Sequence, residues 1–176
     1  ADTLEVLNLS GNTLTSLPDD LPRLHRLRVV FCSGNPFTEL PAVLGQCAQL
    51  EMVGFKSCQI RVVPAAALPP RLRWLILTDN HITTLPAEIG QCQQLQKLML
   101  AGNQLAQLPP ALAQCQQLEL LRFSANPLAD AGTLPDWLLQ LPRLAWLARA
   151  GTPQVPASGN AIRWSDLALQ HRLGEG

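Results

Sequence analysis

Apolar and polar positions alternate along this chain in one recurring order. Its fullest form is Leu95–Pro109, which reads L-x-x-L-x-L-x-x-N-x-L-x-x-L-P. The order restarts at Leu4, Leu27, Leu50, Leu72, Leu95, Leu118 and Leu144, giving steps of 23, 23, 22, 23, 23 and 26 residues. Counting each restart as position one, position four holds Leu7, Val30, Val53, Leu75, Leu98, Leu121 and Leu147. Position six holds Leu9, Cys32, Phe55, Leu77, Leu100 and Phe123, with Arg149 breaking the rule in the last repeat. Position nine holds Asn12, Asn35, Cys58, Asn80, Asn103 and Asn126. A Leu-Pro pair closes most repeats, at Leu17-Pro18, Leu40-Pro41, Leu85-Pro86, Leu108-Pro109 and Leu134-Pro135, with Val63-Pro64 in the third.

Strict alternation over L-x-x-L-x-L predicts a short strand with positions four and six turned to the core. A period near 23 residues predicts that each strand pairs in parallel with the next, about 4.8 Å away. Proline after leucine fixes φ and removes a donor, so the second half of each repeat is expected to return as irregular or short helical structure. One such coil cannot bury its own apolar face, and the stack is the folding unit. The asparagines are expected to be buried and bonded to the turn backbone of adjacent coils.

The pattern over residues 4–150 resembles the leucine-rich repeat family, in its short intracellular class of about 23 residues per repeat. The resemblance implies an α/β solenoid of about seven repeats. It would be a curved right-handed superhelix with a parallel concave sheet and a convex side of irregular or short helical returns. It also implies protein–protein recognition and a cytoplasmic location. Residues 1–150 are therefore assigned to the solenoid, with no cap before Leu4 to cover its first coil. The Pro- and Gly-containing stretch 151–162 is assigned to a C-terminal cap or linker.

Residues 163–176 follow a different pattern. Trp164, a strand-like run and then Leu173-Gly174-Glu175-Gly176 resemble the opening of a protein kinase domain, where L-G-x-G begins the Gly-rich loop over ATP phosphates. That likeness implies a parent serine/threonine kinase using ATP and Mg²⁺, with Gly174 and Gly176 as the start of its nucleotide-binding loop. The sequence holds no V-A-I-K-type lysine strand, H-R-D loop or D-F-G, so no phosphoryl transfer is expected from these 176 residues themselves. A stand-alone repeat scaffold is the alternative. A second is the recognition domain of a bacterial ubiquitin-ligase effector, whose repeats are usually shorter.

Composition narrows the chemistry. Lys+Arg and Asp+Glu are 13 each, which leaves no basic excess of the kind nucleic-acid binding requires. No apolar run reaches the roughly 18 residues that span a bilayer. The five cysteines are odd in number and all lie within repeats, so they read as reduced thiols. Cys47, Cys92 and Cys115 share a register held by leucine or proline in other repeats, which marks them as core filler. His25, His81 and His171 form no metal-ligand spacing.

Positions three, five and seven point away from the core onto the inner curve of the sheet, and function is expected there. Val29, Phe31, Met52, Trp74, Ile76, Met99 and Leu120 are expected to form one exposed apolar patch. Arg122 and Trp146 complete the candidate protein-binding site, and Lys56, Lys97 and Arg122 give it a basic rim. Along position two, Glu5, Arg28, Glu51, Arg73, Gln96 and Glu119 are expected to form a ladder of surface ion pairs.

Overall fold

A computed structural model describes residues 3–130, 134–148 and 153–154. Its elements follow the repeat. Seven three-residue strands, β1 (Val6–Asn8), β2 (Val29–Phe31), β3 (Met52–Gly54), β4 (Trp74–Ile76), β5 (Lys97–Met99), β6 (Leu120–Arg122) and β7 (Trp146–Ala148), lie side by side in chain order. All are parallel and in register by repeat position, so Leu7 faces Val30 and Leu75 faces Leu98. A two-residue strand β8 (Pro153–Gln154) adds to β7 in the antiparallel sense, a chain reversal that the repeat pattern does not foretell. Apart from β8, the expected residues 151–162 linker and 163–176 kinase opening, with Gly174 and Gly176, lie outside the described residues, as does Arg149.

The opposite side is built from short turns, among them 3-10 turns at Ala42–Gln46, Ala65–Ala67, Ala87–Gln91 and Pro110–Gln114 and an α-turn, α1 (Asp136–Leu139). In each of these five, the proline of the Leu-Pro pair, or of Val63-Pro64, is the preceding extended residue, with φ between −61° and −69°. That is the φ proline imposes, so the pair starts the turn at no conformational cost. Cys47, Cys92 and Cys115 end three of these turns, their N–H groups bonding Leu44, Ile89 and Leu112 carbonyls. Between sheet and turns runs one continuous core, with Leu50, Leu75, Leu98 and Leu121 fully buried.

The asparagines join the coils. Asn103 Nδ2 donates to the Leu77 carbonyl one coil back and to Leu100 in its own, both at 2.9 Å, and its Oδ1 accepts the Ile82 N–H at 3.1 Å. Asn35, Asn80 and Asn126 repeat this arrangement. At Cys58 the ladder thins. The thiol donates to the Cys32 carbonyl at 3.4 Å, and the Phe37 N–H, which an amide would accept, bonds Asn35 O instead. Phe37 packs edge-to-face on Phe55 at 5.0 Å beside this gap.

The residue before each ladder position turns the chain off the sheet through a positive φ. It is glycine at Gly11, Gly34 and Gly102, but Ser57, Asp79 and Ala125 also adopt it, at φ 55°, 58° and 54°. A Cβ in that region is disfavoured by roughly 1–2 kcal/mol.

Two stability measurements follow. Ala125→Gly should raise unfolding free energy in urea by about 0.5–1 kcal/mol, the relief of strain outweighing the added chain entropy; no gain would mean the turn is not strained. Asn80→Ala should cost about 3 kcal/mol by leaving buried backbone groups unpaired, whereas Cys58→Asn should be neutral or stabilising by about 1 kcal/mol.

Candidate concave recognition surface

Registered pairing brings equal repeat positions together across the sheet. Position three forms the row Val6, Val29, Met52, Trp74, Lys97, Leu120 and Trp146. Position five forms the row Asn8, Phe31, Gly54, Ile76, Met99, Arg122 and Ala148. All nine residues expected in the site therefore lie on the concave face, but not as one exposed patch. Met99, Leu120, Trp146 and Ala148 form a second buried cluster, with Ile76 packed at its margin, and Trp146 is 0% exposed. Val29 is buried as well, at 7%. Within this cluster Leu120 and Trp146 are direct neighbours across β6 and β7, and Arg122 and Ala148 likewise. The accessible part of the face is its middle, where Phe31, Met52, Trp74 and Ile76 are only partly buried.

Two local contacts shape that middle. Gly54 faces Phe31 across β2 and β3, and a Cβ on Gly54 would stand 2.5 Å from the Phe31 ring. The missing side chain lets the ring lie across β3. One strand further along, Lys97 Nζ sits 4.0 Å from the Trp74 ring centroid, a cation–π contact. Lys97 thus belongs with the aromatic centre and not to a rim. The sequence carried that signal, since Trp74 and Lys97 share position three of consecutive repeats. Arg122, beside Met99, is half-buried; its Nη2 is closed off from solvent and has no hydrogen-bond partner among the described residues. Leaving a charged donor so placed costs on the order of 1–3 kcal/mol or more.

Position two forms the expected ladder from Glu5 to Gln96, while Glu119 makes no ion pair among the described residues. Arg28 bridges Glu5 at 3.6 Å and Glu51 at 3.7 Å, and Arg73 reaches Glu51 at 3.4 Å and the Gln96 amide oxygen at 3.2 Å. These partly exposed pairs contribute about 0–1 kcal/mol each and fix the edge of the face.

No group of three or more His, Cys, Asp or Glu that could hold a metal occurs among the described residues, and none of the helices there is long and apolar enough to cross a membrane. The five cysteines are free and buried. Burial pushes the Cys32 and Cys115 thiols up to about 12 and Cys92 to about 11, and raises Cys47 and Cys58. Such thiols lack nucleophilic character.

Family models described as leucine-rich repeat match residues 70–128 and 3–24. No match was found among curated protein sequences. Among solved structures, a leucine-rich-repeat protein of Leptospira interrogans is 30% identical, with a TM-score of 0.77, over 85% of this chain and 38% of that one. TLR13, solved as a complex with the RNA ssRNA13, is 30% identical with a TM-score of 0.65, over 71% of this chain and 18% of that one. The chain has the fold of a leucine-rich-repeat solenoid, with leucine-rich-repeat matches over residues 3–24 and 70–128. It spans well under half the length of either of these two structures.

The buried thiols give a pH prediction. In the unfolded chain they ionise near 9.0, and in the folded chain well above it. The folded state therefore retains protons that the unfolded state loses, and stability should fall as pH rises from about 9 toward about 12. Ellman's reagent at about pH 8 should label the cysteines only on unfolding; rapid labelling of the native protein would contradict their burial.

Proposed function

We propose that this domain is a protein-recognition module without catalysis of its own, and that its partner binds the middle of the concave face. The observation that carries the reading is the incomplete burial of Phe31, Met52, Trp74 and Ile76 on the side of the sheet that the core does not use. Apolar groups of this size left accessible in one patch are the usual mark of a binding surface, and tryptophan and arginine are its usual anchors. Leucine-rich repeats are commonly binding modules, which is consistent with this reading.

We further propose that the solenoid serves as the sensor or docking region of a larger cytoplasmic serine/threonine kinase. This rests on Trp164, the strand-like run after it and Leu173-Gly174-Glu175-Gly176. In such a parent, Gly174 and Gly176 would open the loop that receives ATP with Mg²⁺, and no step of that chemistry is assigned to the residues described here. The coding sequence after Gly176 tests the idea: a third glycine and a lysine strand of V-A-I-K type support it, and a stop codon removes it.

The recognition surface is tested by affinity capture with wild-type, Trp74→Ala and Phe31→Ala proteins matched for thermal stability. Partners bound at this face should be lost, by about tenfold or more in affinity for each variant. Recovery of the same partners at the same yield by both variants would refute the assignment.

A further inference from the structure

The charges on the concave face are all of one sign. Positions three, five and seven of the first six repeats contribute Lys56, Lys97 and Arg122 and no carboxylate. The nearest acids lie on the margins. Glu5 and Glu51 are paired with Arg28 and Arg73 along position two, Glu119 lies on that same edge, and Asp79 lies on the opposite rim. The chain as a whole is neutral, so this segregation is local. None of the three cations makes an ion pair among the described residues, and the Nη2 of Arg122 is a buried donor with no acceptor.

We propose that the concave face recognises an acidic segment of a protein partner. It would run across the strands with apolar side chains on Phe31, Met52 and Ile76, and with carboxylates at Lys97 and Arg122. The inference rests on the reading of this face as a recognition surface and adds the chemistry of what it takes. A carboxylate gives the accessible side of the half-buried Arg122 guanidinium a charge-assisted hydrogen bond and a counter-charge that the domain itself does not supply. Lys97, held over Trp74, presents its remaining donors to the same side. From Phe31 on β2 to Arg122 on β6 there are four strand spacings, about 19 Å at ~4.8 Å each, a length covered by roughly six extended residues.

A nucleic acid also offers anions, but the face fits it poorly. Binding single strands combines several phosphate contacts with open aromatic faces on which bases stack. Here three cations are spread over four strands, one face of Trp74 is taken by Lys97, and the Phe31 ring lies against β3 at Gly54. Met52 and Ile76 between them suit aliphatic side chains.

The test is titration of the whole 176-residue chain, followed by tryptophan fluorescence and calorimetry, with three probes: a peptide of about ten residues alternating leucine and glutamate, its leucine–lysine counterpart, and an oligouridine of similar length. The glutamate peptide should bind and the lysine peptide should not. Affinity should fall about tenfold or more in Lys97→Glu, Arg122→Gln and Arg122→Glu proteins, and on raising salt from about 50 to about 500 mM. Circular dichroism melts of each variant confirm that the solenoid is intact, and Arg122→Gln removes the charge with the least change of shape. Equal binding of both peptides, charge variants that bind like wild type, binding of the RNA in place of the peptide, or binding of no probe would each overturn the proposal. The underlying reading fails separately. If Trp74→Ala and Phe31→Ala lose binding while the charge variants do not, the surface stands and its acidic preference falls. If the glutamate peptide binds wild type, the three charge variants, Trp74→Ala and Phe31→Ala alike, the surface itself is wrong.

Discussion

Everything in this domain depends on how one coil is tied to the next by a buried amide. A coil of about 23 residues exposes backbone groups at the turn off its strand, and a stack would bury them unpaired. The asparagine at position nine meets the need from both sides: its Nδ2 donates to carbonyls of its own and the preceding coil, and its Oδ1 accepts an N–H from the preceding coil. Successive asparagines also share acceptors. Leu77 O receives Asn80 and Asn103, and Leu100 O receives Asn103 and Asn126. The turn that delivers each asparagine needs a left-handed residue just before it, which is why glycine recurs there and why Ser57, Asp79 and Ala125 carry strain.

That division of labour leaves the inner face free to carry function. Positions one, four, six and nine are committed to the core and the ladder, and positions three, five and seven are not. On this face the apolar residues split into a buried group toward β7 and an accessible group around Phe31, Met52, Trp74 and Ile76. Cationic groups stand among the accessible ones with no carboxylate opposite them. A face that is apolar and of one charge sign selects its partner by complementarity as well as by area.

The sequence made the period, the strands, their parallel register, the prolines that start the convex turns, the burial of Cys47, Cys92 and Cys115 and the ion pairs of position two legible, because each is a consequence of one spacing repeated. What it could not disclose depends on shape between coils. Met99, Leu120 and Trp146 were expected to be exposed because they point away from the main core. They lie instead in a second buried cluster, which no single repeat reveals. Phe31 lies over β3 only because Gly54, one repeat later, has no side chain. Cys58 in place of asparagine was visible, but not that the Phe37 N–H would find a local acceptor instead. The strand β8 has no counterpart in the repeat, so periodicity was silent about it.

The shared carbonyls make the central claim measurable. If the coils are coupled through the amide ladder, Asn103→Ala and Asn126→Ala, which both act on Leu100 O, should be non-additive in urea unfolding, with an interaction energy of about 0.5 kcal/mol or more. The distant pair Asn35→Ala and Asn126→Ala should add within about 0.5 kcal/mol. Additivity in the adjacent pair equal to that in the distant pair would contradict the account, because it would make each asparagine a private support for its own turn.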